Sequence, residues 1–140
     1  MNSALPSNLK IYFDGSCMPK NPGGTAKYAY QILDENDHVL VSHSAEVCRG
    51  PEATNNLAEW NGVLNALRYL KLNNWSGKLK IIGDSMLVIN QLNGVYKVRK
   101  NTLVPLHAES ISILNSMDWS ADWVPREENQ QCDKLSKSGN

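Results

Sequence analysis

The first third of the chain alternates apolar and polar residues in three runs that are separated by turn-forming residues. The first run begins at Leu9, the second covers Ala26 to Leu33 and the third covers Val39 to Val47, and each predicts a strand; the first is rich in residues that favour strands. Proline and glycine crowd residues 19–24, and residues 34–37 are polar. Because connections this short favour antiparallel pairing, we expect an antiparallel meander whose first strand has about six to eight residues.

The hydrophobic period changes after Thr54. From Asn55 to about Leu72, apolar residues recur every three or four residues. This spacing predicts an amphipathic helix with Thr54 as its N-cap. The expected elements that follow are a buried strand at 78–83, a helix at 85–93 ended by Gly94, a helix from Pro105 to about Met117, a strand at 118–124 and a last helix opened by Asn129. This order predicts an α/β fold in which helices cover a mixed sheet.

Composition narrows the class of protein. The 140 residues, of which 41% are hydrophobic, suit a single domain over 1–140 with a sizeable core. No apolar run approaches the ~20 residues that span a bilayer, and the N-terminus shows no secretory signal. Three cysteines without CxxC spacing indicate reduced thiols in a cytoplasmic protein.

Charge is balanced overall but not along the chain. Fourteen Lys and Arg stand against fourteen Asp and Glu, which excludes a globally cationic nucleic-acid-binding protein. Between Lys71 and Lys100, however, six basic residues accompany a single acid, Asp84. Such an excess is typical of a phosphate-binding surface and equally of a solvated face.

Two acids stand where predicted strands end. Asp14 follows the apolar run 11–13, and Asp84 follows the strand at 78–83. Taken singly, Asp14 is explained as a turn former and Asp84 as a helix cap. Ligand sites in open α/β sheets lie beyond the carboxyl ends of strands, so both acids reach one crevice if the two strands are parallel neighbours.

Glu59 is harder to explain as a surface charge. It lies at the edge of the apolar stripe of its helix, and no Lys or Arg stands three or four residues away. A carboxylate that faces a sheet costs several kcal/mol unless it is paired or bound to a metal, so either a partner from elsewhere in the fold or a metal ion is expected. Asp133, on the predicted last helix, is the fourth candidate, although alone it is typical of a surface charge.

Converging carboxylates point to divalent cations. Like charges at ~3–4 Å do not all stay ionised without cations, and Mg²⁺ prefers oxygen ligands. Two such ions activate a water and stabilise the leaving oxygen of a phosphodiester. The three histidines, His38, His43 and His107, lack ligand spacing, and the sequence contains no P-loop, dinucleotide-binding or nucleophile-elbow motif.

Four segments together resemble ribonuclease H of type 1. They are YFDGSC at 12–17 with NPGG at 21–24, ATNNLAEW at 53–60, GDSM at 83–86 and VPREENQQCD at 124–133, in the order and spacing of that family. The resemblance implies a five-stranded mixed sheet of order 3-2-1-4-5 with helices on both faces. It also implies that Asp14, Glu59, Asp84 and Asp133 are the catalytic acids and hold two Mg²⁺ ions, for which Mn²⁺ can substitute.

The resemblance implies substrate contacts as well. Asn55 and Asn56 match residues that meet the minor groove and its 2′-hydroxyls, with helix capping as the alternative explanation, and Thr54 matches a contact to a DNA-strand phosphate. The other implied or candidate contacts are Gly15, Ser16, Cys17, Asn21, Met86, Lys97 and Arg99.

The chain departs from the family pattern in two places. The loop before the last helix, 125–128, has no histidine, which leaves Glu127 or Glu128 as candidates to assist. The long basic, Trp-rich handle of some relatives is also missing, so Lys97, Arg99 and Lys100 are expected to form a reduced substitute. Both features, and the short last helix, resemble the compact archaeal and bacterial form of the family.

The function that the resemblance implies is that of a monomeric, metal-dependent endonuclease that cuts the RNA strand of RNA–DNA hybrids and leaves 5′-phosphate and 3′-hydroxyl ends. We expect that the protein does not associate with a membrane and needs no obligate protein partner. One alternative is a non-catalytic module that binds hybrid or double-stranded RNA. Another is catalysis on double-stranded RNA or on Holliday-junction DNA, which relatives of this fold also process.

Overall fold

A computed structural model describes residues 4–137 of the chain. Its elements in chain order are β1 (Asn8–Met18), β2 (Thr25–Asp34), β3 (Val39–Arg49), α1 (Asn55–Leu72), β4 (Lys78–Gly83), α2 (Met86–Leu92), α3 (Val104–Leu114), β5 (Asp118–Trp123), a 3₁₀ turn (Arg126–Asn129) and α4 (Gln130–Lys137). None of the helices within 4–137 is long and apolar enough to cross a membrane.

The five strands form one mixed sheet of order β3-β2-β1-β4-β5. The central strand, β1, pairs antiparallel with β2 and parallel with β4. β3 pairs antiparallel with β2 at one edge, and β5 pairs parallel with β4 at the other. The predicted fold class and strand order are thus confirmed.

Alternate residues of β1 face two different helical layers. Ile11 and Phe13 are fully buried in the main core, which also contains Trp60 of α1. The side chain of Asp14 points to the opposite face, where Ser136 of α4 lies 3.4 Å from its carboxylate. Helices therefore cover both faces of the sheet, and Asp14 belongs to the face that α4 covers.

β1 is longer than predicted, and Asp14 is not at its end. The strand has 11 residues because β2 provides pairing partners as far as Met18, and Asp14 itself pairs with Ala29. The parallel ladder with β4, however, ends at Tyr12 and Ile82. Asp14 consequently lies just beyond that ladder and next to the residues that follow β4.

The observed ends of three helices can be compared with the ends that the sequence predicts. α1 has the predicted bounds, and the hydroxyl of its N-cap Thr54 accepts a hydrogen bond from the Leu57 N–H at 3.1 Å. α3 ends three residues before Met117, because the chain turns so that the Asp118 N–H bonds to the Gly77 carbonyl at 3.0 Å and starts β5. α4 follows a 3₁₀ turn rather than beginning at Asn129.

The connection between α2 and α3 carries no extra helix, which confirms the compact form without a handle. Gly94 ends α2 with a φ of +77°, as predicted from its position after the helix. The buried Gln91 side chain accepts a hydrogen bond from the Trp60 indole at 2.8 Å and donates one to the Lys97 carbonyl at 3.4 Å. These two hydrogen bonds attach the segment between α2 and α3 to a buried side chain of α1.

Candidate active site

Three acids, from β1, from α1 and from the turn after β4, meet at one end of the sheet. One carboxylate oxygen from each of Asp14, Glu59 and Asp84 lies within 4.8 Å of the others. Asp14 is 4% exposed, and the Asp84 side chain is 8% exposed. Three hard oxygen donors in a half-enclosed position suit a divalent cation such as Mg²⁺ or Mn²⁺.

Gly15 is what allows Glu59 to come this close to β1. A Cβ atom at Gly15 would collide with the backbone nitrogen of Glu59 and with the Ala58 side chain. Without a side chain at this position, the second turn of α1 packs directly on β1. The contact therefore explains the glycine next to Asp14 by packing, independently of any turn.

The electrostatics of the cluster favour a bound cation. Burial, followed by the charge of Asp84, a hydrogen bond with Asp133 and the charge of Glu59, raises the pKa of Asp14 to about 8. Burial and the charge of Asp84 likewise raise the pKa of Glu59 to about 8, against the opposing effects of Ser85 and Arg126. Without cations these groups retain protons at neutral pH, and a divalent cation would displace them.

Asp133 lies beside this cluster rather than within it. It shares a hydrogen bond with Asp14, and Lys137 Nζ lies 3.1 Å from its Oδ1. Burial opposes its ionisation, but the hydrogen bonds with Lys137 and Asp14 hold its pKa below the usual range. The fourth predicted acid therefore contacts Asp14 from α4, at the rim of the three-acid cluster.

Arg126 is a functional candidate that carries no signal in the sequence. Its Nε lies 3.6 Å from Asp84 Oδ2, while its side chain stays 74% exposed. Glu127 and Glu128 are exposed and line a separate groove beside Tyr12. In the loop that lacks a histidine, the side chain that reaches the acids is therefore the arginine and neither glutamate.

Several predicted substrate-binding residues surround a cavity of about 310 Å³. Asn21, Thr54 and Asn56 line it together with Lys100, one of the three basic residues expected to replace the missing handle. The Asn21 side chain also accepts a hydrogen bond from the Asn55 N–H at 3.2 Å, which joins the turn before β2 to the start of α1. The remaining lining residues are Pro22, Pro51, Glu52 and Thr102.

Other predicted contact residues lie outside this cavity. The side chains of Ser16 and Cys17 are buried and bond internally, Ser16 to the Ser136 carbonyl at 3.2 Å and Cys17 to the Lys20 carbonyl at 3.1 Å. Only their backbone groups are therefore left to face a substrate. Met86 is 52% exposed at the start of α2, and Lys97 and Arg99 are exposed in the connection to α3.

Comparison with known sequences places the chain in a family. The model of the reverse transcriptase-like family matches residues 12–139. The bifunctional protein Rv2228c of Mycobacterium tuberculosis is 29% identical over 118 residues, which are 83% of this chain and 31% of that protein. The uncharacterized protein YpeP of Bacillus subtilis is 28% identical over 140 residues, which cover 94% of this chain and 58% of that protein. The chain thus spans only part of these relatives.

Solved structures agree with this placement. The N-terminal RNase H domain of Rv2228c gives a TM-score of 0.84 at 27% identity, over 94% of this chain and 92% of that chain. RNase H1 from Halobacterium salinarum gives 0.81 at 26% identity, over 93% and 95%. LC11-RNase H1, solved in complex with an RNA/DNA hybrid, gives 0.82 at 28% identity, over 92% and 94%. The chain therefore belongs to the reverse transcriptase-like family and folds as ribonuclease H of type 1 does.

Proposed function

We propose that the chain is a metal-dependent endoribonuclease that hydrolyses the RNA strand of RNA–DNA hybrids and leaves 5′-phosphate and 3′-hydroxyl ends. The observation that carries this proposal is the convergence of Asp14, Glu59 and Asp84 within 4.8 Å. The resemblance to LC11-RNase H1, a protein solved with an RNA/DNA hybrid, supports the choice of substrate.

Asp14, Glu59 and Asp84, with Asp133 at the rim, would hold two Mg²⁺ ions, and Mn²⁺ would substitute for them. Bound there, such ions supply an activated water and stabilise the departing 3′-oxygen. The protein itself contributes the fixed placement of the carboxylates, because β1, α1 and the turn after β4 pack against one another. Arg126 contributes an exposed guanidinium beside Asp84 at the mouth of the cluster, from which it would donate charge-assisted hydrogen bonds to a phosphate oxygen.

The substrate would lie across the three-acid cluster and the cavity that Thr54, Asn56 and Lys100 line. We assign Asn55 and Asn56 to the minor groove, where amide groups can donate to and accept from a 2′-hydroxyl and so distinguish RNA from DNA. We assign Thr54 to a phosphate of the DNA strand. Lys100, which lines the same cavity, would balance the negative charge of that phosphate. Asn21, Met86, Lys97 and Arg99 would add contacts around them.

The RNA strand would run along the start of α1 and the middle of β1. Gly15, Ser16 and Cys17 would meet it through their backbone groups, because the side chains of Ser16 and Cys17 are already engaged inside the protein. We further propose that residues 1–140 act as a single domain, as a monomer without an obligate protein partner and in the cytoplasm.

A substrate panel tests the proposal. RNA–DNA hybrid, double-stranded RNA, double-stranded DNA and a Holliday junction are incubated with the protein in Mg²⁺ or Mn²⁺, and the product ends are mapped. We expect cleavage of the RNA strand of the hybrid, with 3′-hydroxyl ends that a polymerase can extend. Preferential cleavage of duplex RNA or of the junction would overturn the substrate assignment.

Two variants test the catalytic assignment. Asp14→Asn and Asp84→Asn should abolish cleavage and leave hybrid binding nearly intact, because each removes one metal-binding charge and no substrate contact. Cleavage at the wild-type rate by both variants would contradict the assignment. Tight hybrid binding by a wild-type protein that never cleaves would favour the non-catalytic binding module.

A further inference from the structure

One buried hydroxyl touches the candidate metal site from the C-terminal helix. Ser136, in the last turn of α4, is 0% exposed. Its Oγ lies 3.4 Å from Asp14 Oδ2 and 3.0 Å from the Asp133 carbonyl oxygen. Within residues 4–137 it is thus a non-acidic side chain with a donor directed at one of the three clustered carboxylates.

The backbone of the same residue attaches α4 to β1. The Ser136 carbonyl accepts a hydrogen bond from the Ser16 hydroxyl at 3.2 Å. Ser16 lies two residues after Asp14 on the same face of β1, so the bond holds the end of α4 against the strand beside that acid. The distance from the Ser136 hydroxyl to Asp14 is therefore set by packing rather than by a mobile side chain.

We propose that Ser136 is a positioning residue for Asp14, an inference that rests on the metal-dependent function proposed above. The hydroxyl has one proton and two acceptors, and an ionised carboxylate is a stronger acceptor than a carbonyl. The proton therefore turns to Asp14 Oδ2 whenever Asp14 is ionised. A donor at Oδ2 fixes the rotation of the carboxylate and so the direction of its other oxygen. Hydrogen bonds behind a metal ligand of this kind tune both affinity and geometry.

A purely structural explanation is available and makes a different prediction. Serine hydroxyls in helices often bond to a carbonyl in the preceding turn, and the 3.0 Å contact with Asp133 is such a bond. If that bond were the whole purpose of Ser136, its removal would change the stability of α4 and leave metal binding unchanged. Metal affinity measured on the protein alone separates the two explanations.

The experiment compares Ser136→Ala with Ser110→Ala. Ser110 of α3 is also 0% exposed, and within residues 4–137 its Oγ has no hydrogen-bond partner, so its variant removes a buried hydroxyl that makes no contact with the acids there. Mn²⁺ is titrated by calorimetry into each protein without nucleic acid. We expect Ser136→Ala to bind Mn²⁺ about tenfold more weakly and Ser110→Ala to bind as the wild type does. Equal affinity in Ser136→Ala and wild type, with circular dichroism unchanged, would overturn the proposal.

A rescue variant and a kinetic split complete the test. Ser136→Thr keeps the hydroxyl and should bind Mn²⁺ within about threefold of wild type; binding as weak as that of Ser136→Ala, in a folded variant, would count against a hydroxyl-specific effect. In cleavage assays, Ser136→Ala should need about tenfold more metal for half-maximal rate while kcat at saturating metal stays within about twofold. A fall in kcat with no change in the metal concentration needed for half-maximal rate would contradict the proposal.

The two proposals fail in different ways. If wild-type protein binds Mn²⁺ and Asp14→Asn does not, but no hybrid is cut, the proposed activity is wrong and the Mn²⁺ affinities still decide the part that Ser136 plays. If Asp14→Asn binds Mn²⁺ as the wild type does, Asp14 is not a metal ligand and the inference about Ser136 is wrong whatever the substrate.

Discussion

Arg126 Nε lies 3.6 Å from Asp84 Oδ2, which places a guanidinium beside the acid that follows β4. The Asp84 side chain is 8% exposed and the Arg126 side chain 74% exposed, so the cation stands on the solvent side of a buried anion. An exposed guanidinium can turn from Asp84 to a phosphate without crossing packed side chains. The geometry suits a group that meets the substrate at the mouth of the cluster.

Replacing Arg126 with alanine should separate substrate turnover from metal binding. We expect kcat/KM for hybrid cleavage to fall about 10- to 100-fold, because the phosphate loses a charge-assisted donor. Mn²⁺ affinity should stay equal or rise, because a positive charge beside the metal ligands has been removed. Arg126→Lys should be intermediate, since it keeps the charge without the planar fork.

A matched control for Arg126→Ala is Arg68→Ala. Arg68 is also partly exposed and ion-paired, at 2.6 Å with Glu109, but it joins α1 to α3 away from the acids. Its removal should leave kcat/KM unchanged. Weaker Mn²⁺ binding by Arg126→Ala would show that the arginine supports the metal site rather than the substrate.

The raised pKa values of Asp14 and Glu59 predict that the metal-free protein loses stability as the pH rises. Both pKa values are about 8 in the folded protein, against about 4 for carboxyls in an unfolded chain. Between these values the folded state holds more protons, so the free energy of unfolding falls with increasing pH. In EDTA, Tm should therefore decrease from about pH 5 to pH 8.

Divalent metal and Asp84→Asn should each weaken this pH dependence. Mg²⁺ at millimolar concentration binds the ionised carboxylates and should raise Tm most at pH 8. Asp84→Asn removes a charge that raises both pKa values, so its Tm in EDTA should vary less with pH. A wild-type Tm in EDTA that rises steadily from pH 5 to pH 8 would contradict the buried, protonated cluster.

The assignment of Lys100 predicts a change in salt dependence. If its ammonium neutralises one phosphate, Lys100→Ala should reduce the slope of log affinity against log salt by about one unit and weaken binding of all hybrids alike. Lys71→Ala is the control, because Lys71 lies in the last turn of α1, whereas the cavity lies at its first. Fluorescence anisotropy over a salt series, with Ca²⁺ replacing the catalytic metal, measures both slopes.

The close contact at Gly15 predicts a joint loss of stability and metal affinity. Gly15→Ala forces α1 away from β1, because the new Cβ would collide with the Glu59 backbone. We expect a loss of about 1–3 kcal/mol in denaturant unfolding and weaker Mn²⁺ binding, since Glu59 moves with α1. Gly50→Ala is a useful contrast: φ is +98° there but the space is open, so stability should fall by about 1 kcal/mol with Mn²⁺ affinity unchanged.

Local sequence signals predicted most of the fold because each depends on neighbours in the chain. The 3.6-residue period and the capping Thr54 predicted α1 with its observed bounds, and the apolar pair Ile81 and Ile82 predicted a strand buried on both faces. The end of β1 was predicted wrongly, since strand length depends on the partner β2 and not on the residues of β1 alone.

The residues of the candidate site also fall into two groups, those that the sequence could select and those that it could not. Asp14 and Asp84 could be selected from the sequence because each follows an apolar run, and Glu59 because it lies at the edge of an apolar stripe with no basic residue three or four positions away. Arg126 and Ser136 carried no comparable signal, since an arginine in a loop and a serine in a polar helix are ordinary. Their importance depends on distances to Asp84 and Asp14, which lie 42 and 122 residues away along the chain.

The sequence by itself therefore determined the elements and their order, and it was sufficient to select the acids proposed to hold a metal. Only the tertiary structure decided which groups approach those acids, and that the side chains of Ser16 and Cys17 turn inward. The physical reason is that hydrophobic period and capping act within a few residues, whereas the position of α4 across the sheet results from packing between segments at opposite ends of the chain.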